Sequence, residues 1–121
     1  MAKRRIEDDT IMFYDGATQF LTIKESDTEN GILLTLVGEL RGEVSHDLLD
    51  ELVSFVTVGV KVVVDCEKVT YIAPSNEQVF LDTQHKIDDM KKGDLTIRNL
   101  PPNIYQEFHK NGTPEVLKIE L

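Results

Sequence analysis

The chain has 121 residues, of which 40% are hydrophobic and 29% charged, and its formal net charge is −9. This length predicts one domain with a single core, and the acidic excess argues against nucleic acid as a partner, because that binding needs Lys and Arg to neutralise phosphates. The lone Cys66 and the lack of a long apolar stretch predict a cytoplasmic protein without disulfides, membrane span or signal peptide.

The first forty residues predict a polar arm and then antiparallel strands. Residues 1–10 are expected to form the polar N-terminal arm, which leaves residues 11–121 as the folded domain. Three strands are predicted, at residues 11–14, 20–24 and 32–37. Before the third strand, Asn30-Gly31 accepts positive φ and favours a tight antiparallel reversal.

The remainder alternates between helices and strands. A helix opens at Ser45, and its apolar residues recur with a 3.6-residue period that predicts one buried face. Further strands are predicted at residues 60–64, 95–97 and 116–121, with helices between them. Such alternation implies right-handed crossovers. The predicted fold class is therefore α/β: a mixed, mostly parallel sheet with an N-terminal antiparallel hairpin and helices packed on it.

The segment after the central strand is the most informative. Four valines in residues 60–64 predict an interior strand, and a loop then leads to a helix whose Ser75 and Gln78 have the spacing of a capping box. Such a loop gathers free backbone N–H groups and the positive end of the helix dipole at one surface point. We therefore expect function to be located at residues 71–76.

Catalytic and metal sites find little support in the sequence. The three histidines, His46, His85 and His109, are predicted on different helices without metal-ligand spacing, so no metal or cofactor is expected. Cys66 would be a nucleophile only beside a histidine that activates it. The alternative is that its thiol packs as a small apolar side chain.

Four motifs follow one another in a fixed order along the chain. They are Leu36-Val37-Gly38-Glu39-Leu40, Val62-Val63-Val64-Asp65 with Val69-Thr70-Tyr71-Ile72, Ile97-Arg98-Asn99-Leu100-Pro101-Pro102, and Phe108-His109-Lys110-Asn111-Gly112. In order and spacing they resemble STAS domains, the fold of bacterial anti-sigma factor antagonists. The resemblance covers the chain from about Phe20 to Leu121.

The central loop departs from that family. There it reads Asp-Ser-Ser-Gly, and a partner kinase that doubles as the anti-sigma factor phosphorylates the first serine. Here the loop reads Ala73-Pro74-Ser75-Asn76, so the resemblance implies a degenerate phosphosite at Pro74 and leaves Ser75 as a candidate phosphosite. Arg41 also stands where the family has an aspartate.

The resemblance implies a non-catalytic regulatory domain that acts in signalling and transcription regulation by binding a protein. Its expected partner-binding residues are Gly38, Glu39, Arg41, Tyr71, Ala73, Pro74, Ser75 and Asn76. The candidate partner is an anti-sigma factor with a kinase-like ATPase fold. Alternatives are a regulatory subunit of a membrane transporter, a stressosome-like scaffold and, from another class, a small thiol enzyme using Cys66. The oligomeric state and small-ligand binding stay open.

Overall fold

The fold is one seven-stranded sheet with three α-helices, described for residues 2–121 of a computed structural model. The strands are β1 (Ala2–Glu7), β2 (Thr10–Asp15), β3 (Thr18–Asp27), β4 (Gly31–Leu40), β5 (Lys61–Ile72), β6 (Asp94–Arg98) and β7 (Lys118–Glu120). The helices are α1 (Ser45–Thr57), α2 (Pro74–Met90) and α3 (Pro102–Lys110), and short 3₁₀ turns lie at Gly42–Val44 and Thr113–Glu115.

The strands lie in the sheet in chain order. Neighbours from β1 to β4 are antiparallel, and neighbours from β4 to β7 are parallel. The described sheet thus has three pairings of each kind, and the predicted mixed α/β class is confirmed. Its antiparallel part is larger than the single hairpin that the sequence predicted.

All three helices occupy crossovers between parallel strands: α1 joins β4 to β5, α2 joins β5 to β6, and α3 joins β6 to β7. Right-handed crossovers that advance in one direction place their helices on the same face of a sheet. Burial agrees with this arrangement, because Val62 and Val64 of β5 are buried while Val63 is only partly covered. The central strand is interior in the sheet, but only one of its faces lies under helices.

The N-terminal segment differs from the predicted arm. Met1 lies outside the described residues, but residues 2–7 form strand β1, which pairs with β2 through contacts such as Ile6 opposite Ile11. This edge strand carries no clear hydrophobic alternation, since Arg4, Arg5 and Ile6 are all exposed. Pairing through backbone groups does not require such a pattern. A domain boundary at residue 11 would therefore divide a hairpin.

Strand β5 continues through the segment that was predicted as a loop. It pairs with β4 as far as Ile72, opposite Leu40, with two shifts of register on the way. Such bulges insert an unpaired residue and bend a strand without ending it. Beyond Asp65, which pairs with Arg98, β5 pairs with β4 alone. The long β4 therefore carries β5 directly to the start of α2.

Candidate functional site

Residues 38–42 and the predicted loop at residues 71–76 lie side by side. Leu40 ends β4, Ile72 ends β5, and the two residues are register partners. One residue later, the backbone N–H of Ala73 donates a 2.8 Å hydrogen bond to the carbonyl oxygen of Leu40. Residues 38–42 and 71–76, together with the exposed face of α2, form one region that we call the docking surface.

Asn76 joins the two halves of this region from below. Its side chain is fully buried, and its Nδ2 donates 2.9 Å hydrogen bonds to the carbonyl oxygens of both Leu40 and Arg41. Its Oδ1 has no hydrogen-bond partner among the described side chains and backbone groups. Asn76 was predicted as a partner-binding residue; its side chain is buried and connects the two backbone segments. Ala73 is also buried.

Ser75 does not cap its helix, so that prediction is wrong. Helix α2 begins at Pro74, its N-cap is Ala73, and no side chain makes a capping hydrogen bond. The reason is that proline fits the first helical position, where its missing N–H costs nothing. Gln78 does not complete a capping box either, because its Nε2 donates to Asp82 at 2.8 Å.

The Ser75 hydroxyl instead contacts the start of α1. Its Oγ lies 2.8 Å from the Oγ of Ser45, whose own proton is donated to the carbonyl oxygen of Gly42 at 2.7 Å. Because each hydroxyl has one proton, Ser75 is the donor to Ser45. Ser75 remains exposed, as does Pro74.

Arg41 is surrounded by acidic side chains. Its Nε donates to Glu39 at 3.1 Å, and its Nη1 lies 3.4 Å from Asp15 and 3.9 Å from Glu43. The hydrogen bond to Glu39 raises the pKa of Arg41, and the guanidinium also lies 4.3 Å from the ring centroid of Phe20. Arg41 was expected to place a positive charge where the family has an aspartate. The three neighbouring carboxylates offset that charge.

Gly38 is needed for its backbone. Its φ is +114°, and a Cβ at this position would overlap the carbonyl oxygen of Phe20 on the neighbouring strand. Any other residue would therefore be strained and would clash. Gly38 thus fixes the backbone of the docking surface. Tyr71 is a large side chain of the same surface, and it is 48% exposed.

A groove opens beside the docking surface, and sequence reasoning missed it. It has a volume of about 320 Å³ and lies between the end of β5, the first turn of α2 and α3. We call it the α2–α3 groove. Its lining residues include Tyr71, Pro74, Glu77, Glu107 and Phe108.

Glu77 is a buried carboxylate in this groove. It is only 8% exposed, and Asn111 Nδ2 donates to its two oxygens at 3.0 and 3.3 Å while Thr113 Oγ1 also donates to it. It forms no salt bridge with any described side chain. A glutamate in the first turn of a helix resembles ordinary dipole compensation. No local pattern in the sequence distinguishes it.

The three histidines are exposed on three different helices, whereas Cys66 lies in strand β5. Cys66 is buried in the core, and burial, with a smaller effect of the Asp65 charge, raises the pKa of its thiol to about 12. A thiol of this kind is a poor nucleophile at neutral pH. Within residues 2–121, no three His, Cys, Asp or Glu side chains are grouped as metal ligands.

A helix that spans a lipid bilayer must be long and predominantly apolar. No helix in residues 2–121 is both long enough and apolar enough to span one.

Solved structures share the fold at low sequence identity. A crystal structure of an anti-sigma factor antagonist from Mycobacterium paratuberculosis has a TM-score of 0.72 and 15% identity, covering 83% of this chain and 85% of that one. The Bacillus cell fate determinant SpoIIAA in its phosphorylated form has a TM-score of 0.63 and 13% identity, covering 82% and 91%. The Thermotoga maritima protein TM1081 has a TM-score of 0.70 and 15% identity, covering 98% and 89%.

Sequence comparison identifies the family. A search of curated protein sequences gives no match. The family model described as "Mlab, STAS domain" matches residues 23–118, a range that begins in β3 and ends in β7 and includes all three helices. The chain belongs to the STAS domain family.

Proposed function

We propose that this STAS domain is a non-catalytic regulatory module that binds another protein through the docking surface. The observation that carries the proposal is the pair of hydrogen bonds from Asn76 to Leu40 and Arg41. They hold two distant segments as one preformed surface, and a surface that needs no ordering loses less entropy on binding. The fold of anti-sigma factor antagonists supports this mode of action.

The residues of this surface divide into two groups. Tyr71, Pro74 and Ser75 are exposed, and Glu39 and Arg41 are partly so; these side chains would contact the partner. Gly38, Ala73 and Asn76 would fix the backbone: Gly38 through its positive φ, and Ala73 and Asn76 through their buried contacts with the end of β4. An exposed tyrosine suits this role, because its large ring buries much area at low entropic cost.

The usual phospho-switch is proposed to be absent. Pro74 has no hydroxyl, so a kinase cannot modify the position that corresponds to the family's phosphoserine. SpoIIAA has a phosphorylated form, which makes the loss a specific departure. Ser75 is the single hydroxyl in residues 73–76, and its proton is already donated to Ser45. Binding would then be constitutive or set by the availability of the partner.

The partner we favour is an anti-sigma factor with a kinase-like ATPase fold. A transporter ATPase or the other subunits of a stressosome-like scaffold would use the same fold, and the recovered partner decides among them. The thiol-enzyme alternative is disfavoured by the buried Cys66, because catalysis by a thiol needs an accessible thiolate.

Affinity capture from the source cell, read by mass spectrometry, tests the proposal. Ser75→Glu places a charge on the docking surface but suits the first turn of a helix, so it should leave the fold intact and abolish capture. Ser54→Glu is the matched control. Ser54 is also an exposed serine, but it lies near the C-terminal end of α1, whereas Ser75 contacts Ser45 at the start of that helix. Equal loss of capture in both variants, or in neither, would count against this surface.

The missing switch has its own test. After incubation with ATP and the cognate kinase, the intact mass of the protein should be unchanged. A stoichiometric phosphate on Ser75 would overturn the loss of the switch while leaving the docking surface in place. Pro74→Ser alone should not restore full control, because Ala73 and Arg41 also differ from the family pattern.

A further inference from the structure

The α2–α3 groove has the composition of a site for an organic cation. Two carboxylates line it, Glu77 from the first turn of α2 and Glu107 from α3, with the ring of Tyr71 beside them. We propose that the groove receives an arginine side chain of the protein partner. This inference rests on the proposed function and adds to it the chemistry by which the partner is recognised.

The Glu77 carboxylate still has capacity to accept hydrogen bonds. A carboxylate offers about four acceptor sites. The hydrogen bonds to it come from only two groups, the Asn111 amide and the Thr113 hydroxyl, and both groups are neutral. A buried carboxylate whose charge no described cation balances gains strongly from an incoming positive donor.

Glu107 is also available to a partner. Its contact with a described cation is with Lys110 at 3.8 Å, and both side chains are largely exposed. An ion pair of this kind contributes little to stability, so a partner can replace it at small cost. Glu77 and Glu107, which line the same groove, would then both bind the guanidinium.

The shape and the aromatic wall favour arginine over other cations and over larger ligands. A planar guanidinium binds carboxylates in a fork and stacks on aromatic rings, which a lysine ammonium does less well. Tyr71 is 48% exposed and provides such a ring. The volume of about 320 Å³ is at the lower end for ligand sites, which fits one side chain better than a nucleotide.

The location connects the groove to the docking surface. Tyr71 and Pro74 belong to both, so the groove adjoins the surface on which the partner is proposed to sit. The net charge of −9 would also draw a basic segment of the partner towards this domain.

The test uses a probe of defined chemistry on the full 121-residue chain. In ¹H–¹⁵N NMR titrations, N-acetyl-arginine methylamide should shift the amides of Tyr71, Glu77 and Asn111 saturably. N-acetyl-citrulline methylamide has nearly the same shape without the charge, and it should bind about tenfold more weakly because the charge-assisted hydrogen bonds are lost. Equal affinity for the two probes, or shifts confined to another face, would overturn the inference.

Two matched variants separate the groove from general electrostatics. Glu107→Gln should weaken arginine binding and reduce capture of the partner, whereas Glu29→Gln removes an exposed charge in the β3–β4 turn and should change neither. Equal weakening by both variants would sink the groove site. If the arginine probe fails to bind but Ser75→Glu still abolishes capture, only this inference fails. Capture that survives Ser75→Glu would overturn the proposed function.

Discussion

The side-chain amide of Asn76 donates a 2.9 Å hydrogen bond to the backbone carbonyl of Leu40, which lies 36 residues earlier in the chain. The same carbonyl also accepts a hydrogen bond from the backbone N–H of Ala73. The end of β4 is thereby fixed to the first turn of α2 by one buried side chain and one backbone group. The docking surface includes both ends of this contact, and the α2–α3 groove lies beside that surface.

Asn76→Ala should lower the free energy of unfolding by about 1–3 kcal/mol, because two hydrogen bonds to carbonyl oxygens are lost within a buried site. Chemical denaturation measures this change. Asn103→Ala is the control, since Asn103 is exposed on α3, and it should cost about 0.5 kcal/mol or less. Equal stability of the two variants would show that Asn76 does not hold the end of β4 to the first turn of α2.

Ser75→Ala should lower the free energy of unfolding by less than about 0.5 kcal/mol, because an exposed hydroxyl is removed and no helix cap is lost. Loss of a true N-cap serine would cost about 1 kcal/mol. Denaturation curves of Ser75→Ala, Ser45→Ala and the double variant measure the coupling of the two hydroxyls. If Ser75→Ala lowered the free energy of unfolding by about 1 kcal/mol and showed no coupling to Ser45→Ala, the contact between the two hydroxyls would be contradicted.

Thr113→Val should cost about 1–3 kcal/mol of unfolding free energy, because it keeps the shape of the side chain and removes a donor to the buried Glu77 carboxylate. Thr57→Val, at an exposed position, serves as the control. In a Glu77→Met background, the same Thr113→Val change should cost much less, since its acceptor is already gone. Additive costs in this double-mutant cycle would contradict a direct contact.

Cys66 should make stability depend on pH in the alkaline range. Burial raises the pKa of the folded thiol from 9.0 to about 12, so the unfolded chain loses this proton first. The protonated thiol therefore makes its full contribution to the free energy of unfolding below about pH 9. This contribution falls as the pH rises towards 12, by at most about 1.4 kcal/mol per pH unit. Unfolding midpoints between pH 8 and 11 should fall more steeply for the wild type than for Cys66→Ala. Parallel slopes would refute the raised pKa.

Alkylation gives an independent measurement on the same thiol. Native Cys66 should react with iodoacetamide far more slowly than the denatured chain at pH 8, because it is buried and protonated. Rapid modification of the native protein would instead revive the thiol-enzyme alternative.

Local sequence patterns predicted most of the elements. The period of α1 identified a helix beginning at Ser45, and Asn30-Gly31 identified the hairpin between β3 and β4, although neither residue has a positive φ. Such features depend on residues within one or two turns of each other, so a linear pattern contains them. The same patterns missed β1 and ended the central strand too early, because edge pairing and bulges depend on the neighbouring strand.

The sequence by itself determined the alternation of strands and helices, the α/β class and the loss of a hydroxyl at Pro74. Only the tertiary structure decided that Ser75 is not a cap, that Asn76 is buried and that Glu77 lies in a groove. Asn76 and Glu77 take their hydrogen-bond partners from segments 34 to 36 residues away. The burial of a polar side chain depends on such long-range contacts, since its desolvation must be balanced wherever the fold supplies a partner.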